Sequence, residues 1–188
     1  MKFLGFEIRR TAGGERRSFW DSLGGWRQQQ NFTHGGGAGG ALANPWSAMG
    51  VPAVYACVDK IAKSTATLPK VVFSNDDPER PQRVWDSRLA MVLGARPNAY
   101  QTAYHFWHLA HMRKLLWGNF YAEIQRDART DEVVGLWPIL SQSVTPELVA
   151  GRKTYRVNGR MLADEDVFHI MSPGFNGLEG VSVIGMHR

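Results

Sequence analysis

Apolar residues first take up a helical spacing after Pro45. Val51, Val54, Tyr55, Val58, Ile61 and Ala62 recur at steps of three and four, with Asp59, Lys60 and Lys63 on the other side. This predicts an amphipathic helix of about four turns. Pro52 suits its first turn and Pro69 forbids its continuation. Val71-Val72-Phe73 reads as a short strand, and Asn75-Asp76-Asp77-Pro78 is a turn by composition. Asp86 or Ser87 can cap a short helix over Leu89 to Leu93, with Gly94 ending it. Thr102 is placed to cap a longer helix that runs to Trp117, where Gly118 supplies a left-handed C-cap. Phe106, Leu109, Ala110, Leu116 and Trp117 form the expected inner face of that helix.

Beyond Gly118 the period changes to two. Phe120, Ala122 and Ile124 alternate with Tyr121, Glu123 and Gln125, which predicts a strand with one face wetter than the other. Asp127 to Asp131 turns the chain, and Val133 to Ile139 returns. Val144 to Val149 is a third strand, expected at an edge because Pro146 cannot donate to a ladder. Asn158-Gly159 joins Thr154–Val157 to Arg160–Leu162 as a hairpin, the sharpest local signal in the chain. Val167 to Met171 is a last strand, Ser172 to Gly180 a loop, and Val181 to Arg188 the first turns of a helix. The sum is an α+β fold: helices with a small, mostly antiparallel sheet.

Residues 1–44 have a different character. Gln28-Gln29-Gln30 is polar and His34 to Gly40 is a glycine tract, which favours a flexible linker because glycine loses most conformational freedom on ordering. The expected organisation is a flexible arm over 1–44 and a domain over 45–188. Ser18 to Leu23 can form a turn of helix on a partner. The arm holds six basic residues against three acidic ones, a net +3 of the chain's +5. Arg9, Arg10, Arg16 and Arg17 are therefore the candidate contacts to an anionic partner, phosphate or an acidic protein surface; a solvated tail is the plainer reading.

The remaining chemistry is sparse. A hydrophobic fraction of 44% and a charged fraction of 21% are ordinary for a soluble protein. The single cysteine, Cys57, permits no intrachain disulfide and falls on the apolar face of the first helix, which predicts a buried, inert thiol. No apolar run is long enough to span a bilayer, and Phe3 to Ile8 is too short for a signal peptide. Gly35, Gly37 and Gly40 fit a dinucleotide fingerprint but lack the flanking strand and helix that bring phosphate to a helix end. His34-Gly35-Gly36-Gly37 resembles an esterase oxyanion segment. Its nucleophile candidate, Gly180-Val181-Ser182-Val183-Ile184, lacks the glycine that the tight elbow needs. His105, His108 and His111 are spaced by three, yet no cysteine or second histidine cluster completes a metal set. The seven tryptophans invite base stacking. Trp107 and Trp117 fall in a helix and Trp137 in an apolar strand, so packing is expected instead. No catalytic, cofactor or metal site is expected.

Several short segments, taken in order, carry more information than any of these. They are Pro52 to Ala62 with Leu68-Pro69; Pro97-Asn98 with Thr102; Gly118-Asn119 with Tyr121; and Arg126-Asp127. Leu136-Trp137-Pro138 and Val144, Tyr155-Arg156-Val157, Asp166 to Ile170, and Gly177-Leu178 with Gly180-Val181-Ser182 follow. In order and spacing this series, across about residues 42–185, resembles the portal proteins of tailed double-stranded DNA phages. The resemblance implies the N-terminal, wing-like α+β part of a portal, with the family's later channel-lining helices beyond the present sequence. It further implies a dodecameric ring at one capsid vertex, in a virion, prophage-derived or gene-transfer particle assembled in the bacterial cytoplasm. Its partners would be itself, the major capsid protein, terminase, a head–tail adaptor and the double-stranded DNA passing through, with no membrane and no enzymatic step. A nucleic-acid-binding module using the basic arm is the alternative.

Overall fold

The computed structural model describes residues 45–74 and 79–184, all within one unit of the chain, Ala43–Arg188. The arm over 1–44 and the turn over 75–78 lie outside the described residues. The chain starts with a short helix α1 (Pro45–Met49), then α2 (Pro52–Ala66), a two-residue pair β1 (Val72–Phe73) and β2 (Arg83–Val84), and helix α3 (Arg88–Gly94). Helix α4 (Ala103–Trp117) leads into β3 (Asn119–Arg126) and β4 (Val133–Ile139). Then come β5 (Val144–Val149), β6 (Arg152–Val157), β7 (Arg160–Ala163) and β8 (Val167–Met171). The architecture is α+β, as the periodicity predicts.

Local chemistry fixes most boundaries. Pro52 opens α2. Ser87 Oγ accepts the Ala90 N–H at the start of α3, and Thr102 Oγ1 accepts the His105 N–H at the start of α4. Gly118 ends α4 at φ 80, a left-handed conformation that only glycine adopts without strain. Asn158 (φ 48) and Gly159 (φ 84) both have positive φ, as a primed hairpin turn requires. Gly94 departs from expectation: it is the last residue of α3 and the cap is Ala95, so no left-handed glycine closes that helix. The segment Val181–Ile184 is loop and turn, not helix; the rest of that expected helix lies outside the described residues.

The strands divide into three antiparallel sheets where the periodicity suggests one: β1-β2, β4-β3-β8 and β5-β6-β7. β5 is an edge strand, consistent with Pro146. The division explains a second difference. Phe120 and Ala122 face the helices, in a core with Ala66, Val92, Phe106, Trp107, Ala110 and Leu136. Tyr121, on the supposedly wet face of β3, is also buried, in a second core with Val144, Tyr155, Leu162 and Val167. The β5-β6-β7 sheet covers the first half of that face, and alternation within one strand cannot reveal a layer supplied by another. Phe106 stands at the centre of the first core, edge-on to Trp107 and Phe120 with centroids 5.3 and 5.4 Å away.

Helix α2 packs on α4 in antiparallel sense. Its buried stripe is Val58, Ala62 and Ala66. Lys70 Nζ closes the end of α2 by donating to the carbonyls of Thr65 (2.8 Å) and Leu68 (2.7 Å), and it sits 5.0 Å from the Trp107 ring centroid. The inner face of α4 also differs from expectation. Leu109 and Trp117 are half-buried, whereas Arg113 is buried and donates to the Ile139 carbonyl at 2.7 Å. Burial pushes the Arg113 guanidinium down to about 10, with Tyr100 opposing the shift.

Candidate assembly surface and C-terminal loop anchor

The sequence-level candidates separate. Arg9, Arg10, Arg16, Arg17 and the glycine tract lie outside the described residues. The three histidines of α4 have different neighbours: His105 Nδ1 meets Thr102 Oγ1 at 2.9 Å, His108 Nε2 meets Asp59 Oδ1 at 3.2 Å, and His111 is tilted over Trp107 at 6.5 Å. Asp59 also pairs with Lys63 at 2.7 Å, and that contact is the main cause holding its carboxyl below the usual range. Among the described residues no three His, Cys, Asp or Glu side chains are grouped to hold a metal, and no helix is long and apolar enough to cross a membrane. Trp107 donates to the Leu93 carbonyl at 2.9 Å, Trp117 packs edge-on against Trp46 at 5.2 Å, and Trp137 donates to Gln125 Oε1 at 2.7 Å. These three rings are held within the fold.

Cys57 is exposed, contrary to the buried thiol expected. A helix advances about 100° per residue, so Cys57 and Ile61 sit about 100° to one side of Val58 and Ala62. The partner helix α4 reaches only one side of α2. A second apolar seam is left open along α2 at Cys57, Ile61 and the half-buried Val54, and Leu68, just beyond the end of the helix, continues the exposed apolar surface, with Ile61 at 49% and Leu68 at 60% exposure. Further exposed apolar groups include Trp85 at 65%, with the Arg83 guanidinium stacked 3.4 Å from its ring centroid, and Phe175 at 90%. Large apolar side chains left open at helical spacing mark a surface suited to another protein.

The second feature joins the end of α4 to the loop after β8, and it centres on Asn119. Its Oδ1 accepts the Gly180 N–H at 2.7 Å, and its Nδ2 donates to the Gly180 carbonyl at 2.8 Å. The side chain thus pairs with the loop backbone as a neighbouring strand would. Because Gly180 N–H fixes which end of the amide is oxygen, it also fixes the tautomer of His169, whose Nε2–H donates to the same Oδ1 at 3.0 Å. His169 Nδ1 is then an acceptor, and Lys153 Nζ lies 3.2 Å away. Tyr155 donates to Asp164 Oδ1 at 3.1 Å and places its oxygen 3.2 Å from His169 Nδ1. The His169 ring stacks on Tyr121 with centroids 4.3 Å apart. Burial, then the Lys153 charge, pushes His169 down to about 4, with Asp164 opposing. Burial raises both tyrosine hydroxyls, Tyr155 with help from Asp164.

This arrangement sets a pH dependence. The unfolded imidazole titrates near 6.5 and the folded one near 4, so the unfolded state binds more protons between those values. The contribution of neutral His169 is complete above pH 6.5 and is lost as pH falls towards 4, amounting to roughly 2–3 kcal/mol once screening by the solvent at its exposed edge is allowed for. Urea denaturation across pH 4–7 should show a steeper acid loss in the parent protein than in His169→Gln. Identical slopes would contradict the assignment.

Sequence reasoning missed Lys70, Arg113 and the role of Asn119. Only the last left a signal, an asparagine directly after a C-cap glycine. The chemistry here is that of packing and anchoring. Ser182, the nucleophile candidate, donates its hydroxyl to the Leu116 carbonyl at 2.6 Å.

Comparison with known proteins gives the same direction. Residues 52–188 match the model of the family described as phage portal protein. The portal protein of Enterobacteria phage HK97 is 32% identical over 139 residues, which are 71% of this chain and 32% of that protein. Protein BeeE of Escherichia coli strain K12 is 36% identical over 75 residues, 40% of this chain and 47% of that protein. The chain therefore spans under half the length of either relative. The crystal structure of an HK97 family phage portal protein from Corynebacterium diphtheriae superposes with a TM-score of 0.53 at 21% identity, covering 72% of this chain and 42% of that one. A chain in the virion of a native gene transfer agent particle gives 0.53 at 22% identity, covering 76% and 39%. At such identity these two structures share the fold.

Proposed function

This chain belongs to the phage portal protein family, and we propose on that premise that it is a structural subunit of the ring through which DNA enters and leaves a phage-like particle. The observation that carries the reading is the family match over residues 52–188, the stretch that also holds the open seam of α2. A ring subunit needs two different surfaces that meet head to tail and close by rotation. The seam supplies an apolar surface for one such contact. A gene transfer agent neck with the same fold, at a TM-score of 0.52 and 22% identity, was computed with C12 symmetry, which supports a dodecamer here. The partners that follow are copies of this chain, the major capsid protein, terminase, a head–tail adaptor and the DNA in transit. The place is the portal vertex of the particle, after assembly in the host cytoplasm. Arg9, Arg10, Arg16 and Arg17 would meet the anionic surface among these partners. Portal proteins are structural, and no reaction is assigned to this chain.

Gold-labelled antibody against residues 45–188, applied to opened particles from the source cells, tests the reading. Label at a single vertex is expected. Label spread over the whole shell, or absent from particles, would overturn it.

A further inference from the structure

We propose that residues 172–182 form a strap that opens as one unit, with Asn119 as its catch and Ser172 as its pivot, so that the direction of the chain beyond residue 182 can change while the two cores stay folded. The strap is closed on itself. Val181 N–H donates to the Pro173 carbonyl at 3.1 Å, so its two ends meet. Asn176 Oδ1 accepts the N–H groups of Leu178 (3.0 Å) and Glu179 (3.1 Å) across the tip. Gly174 lies so close to the Glu179 backbone that a Cβ there would meet its carbonyl. These bonds are internal and survive if the segment lifts away.

The strap meets the rest of the protein chiefly through hydrogen bonds. Ser172 N–H donates to Gly118 O at 2.8 Å, and Ser172 Oγ to Lys114 O at 3.2 Å. Ser182 Oγ donates to Leu116 O, and Asn119 holds Gly180 at both N–H and carbonyl. Three of the acceptors are carbonyls at the C-terminal end of α4, where water can take the place of a protein donor. Little apolar surface fastens the segment: Phe175 is 90% exposed, and Leu178 and Val181 are only half-buried. Segments with few apolar contacts and solvent-replaceable bonds open at lower free energy than a core. Asn119 ties the strap to β3 and, through His169, to the β6–β7 layer. What the motion is for rests on the portal reading, in which the strap steers the part of the subunit that follows; the motion itself does not.

Hydrogen exchange on the 188-residue chain tests this without any ring. In the parent protein the amides of Ser172 and Gly180, which bond to the rest of the protein, should exchange about 100-fold faster than those of Phe120, Ala122 and Ile170. Asn119→Asp keeps the acceptor and removes the donor to Gly180, and Asn119→Ala removes both. Each should speed the strap amides a further 10-fold or more, with Asn119→Ala the larger, while the β3 and β8 amides hold their rates. Strap and core amides exchanging together in the parent protein would overturn the proposal, whether or not the variants fold. So would strap amides indifferent to both substitutions.

Discussion

Gly118→Ala is expected to cost about 2–5 kcal/mol, the sum of left-handed backbone strain and a collision relieved only by lifting the strap. A Cβ on Gly118 would run into the Gly180 carbonyl and lie 2.6 Å from Val181 C and 2.7 Å from Ser182 N. These are backbone atoms, fixed in place by Asn119 and Ser172. Gly159 is the control, since it has φ 84 yet a Cβ there meets nothing within 4 Å. Gly159→Ala should cost only the strain, about 1–2 kcal/mol. Urea denaturation of both variants measures the difference. Equal costs would show that the close approach of the strap to α4 carries no weight.

The double variant Ile61→Glu, Leu68→Glu is expected to weaken self-association at least 10-fold while altering the stability of the monomer by no more than about 0.5 kcal/mol. Both side chains are largely exposed, Ile61 at 49% and Leu68 at 60%, so little packing is lost on folding. Two carboxylates on the seam would face desolvation without partners in any apolar contact. The parent chain is itself expected to be monomeric or weakly associated in dilute solution. It spans 32% of the HK97 portal protein, and a partial interface binds weakly. Light scattering over a concentration series reads both expectations. Undiminished association in the variant would remove the seam from the interface. A stable dodecamer of the 188-residue chain alone would show that these residues suffice for the ring.

Where the chain carries its own punctuation, the structure follows the sequence closely. Thr102 and Gly118 bracket α4, Asn158-Gly159 turns the β6–β7 hairpin, and Pro52 opens α2. These features are local, decided by side chains within three or four residues. Two misreadings are local, the glycine cap expected at Gly94 and the helix expected from Val181, and the others are tertiary. Tyr121 looked half wet because the covering sheet is contributed by residues over 20 positions away. Cys57 and Ile61 looked buried because apolarity alone does not say which side of a helix its neighbour reaches. Arg113 sits on the inner face of α4 because a carbonyl at Ile139 accepts from it, a partner that no spacing rule identifies. The family resemblance implied a ring but not which residues meet a neighbour. A seam of ordinary aliphatic residues carries no chemical signature of the protein that covers it.

As a proposed ring subunit, this chain should be present at one site per particle. Quantitative mass spectrometry of purified particles, using isotope-labelled peptides from residues 45–184 as standards, counts its copies directly. About twelve per particle are predicted, following the symmetry of the gene transfer agent neck with the same fold. Copies in the hundreds, as for a shell protein, or none, would contradict the account.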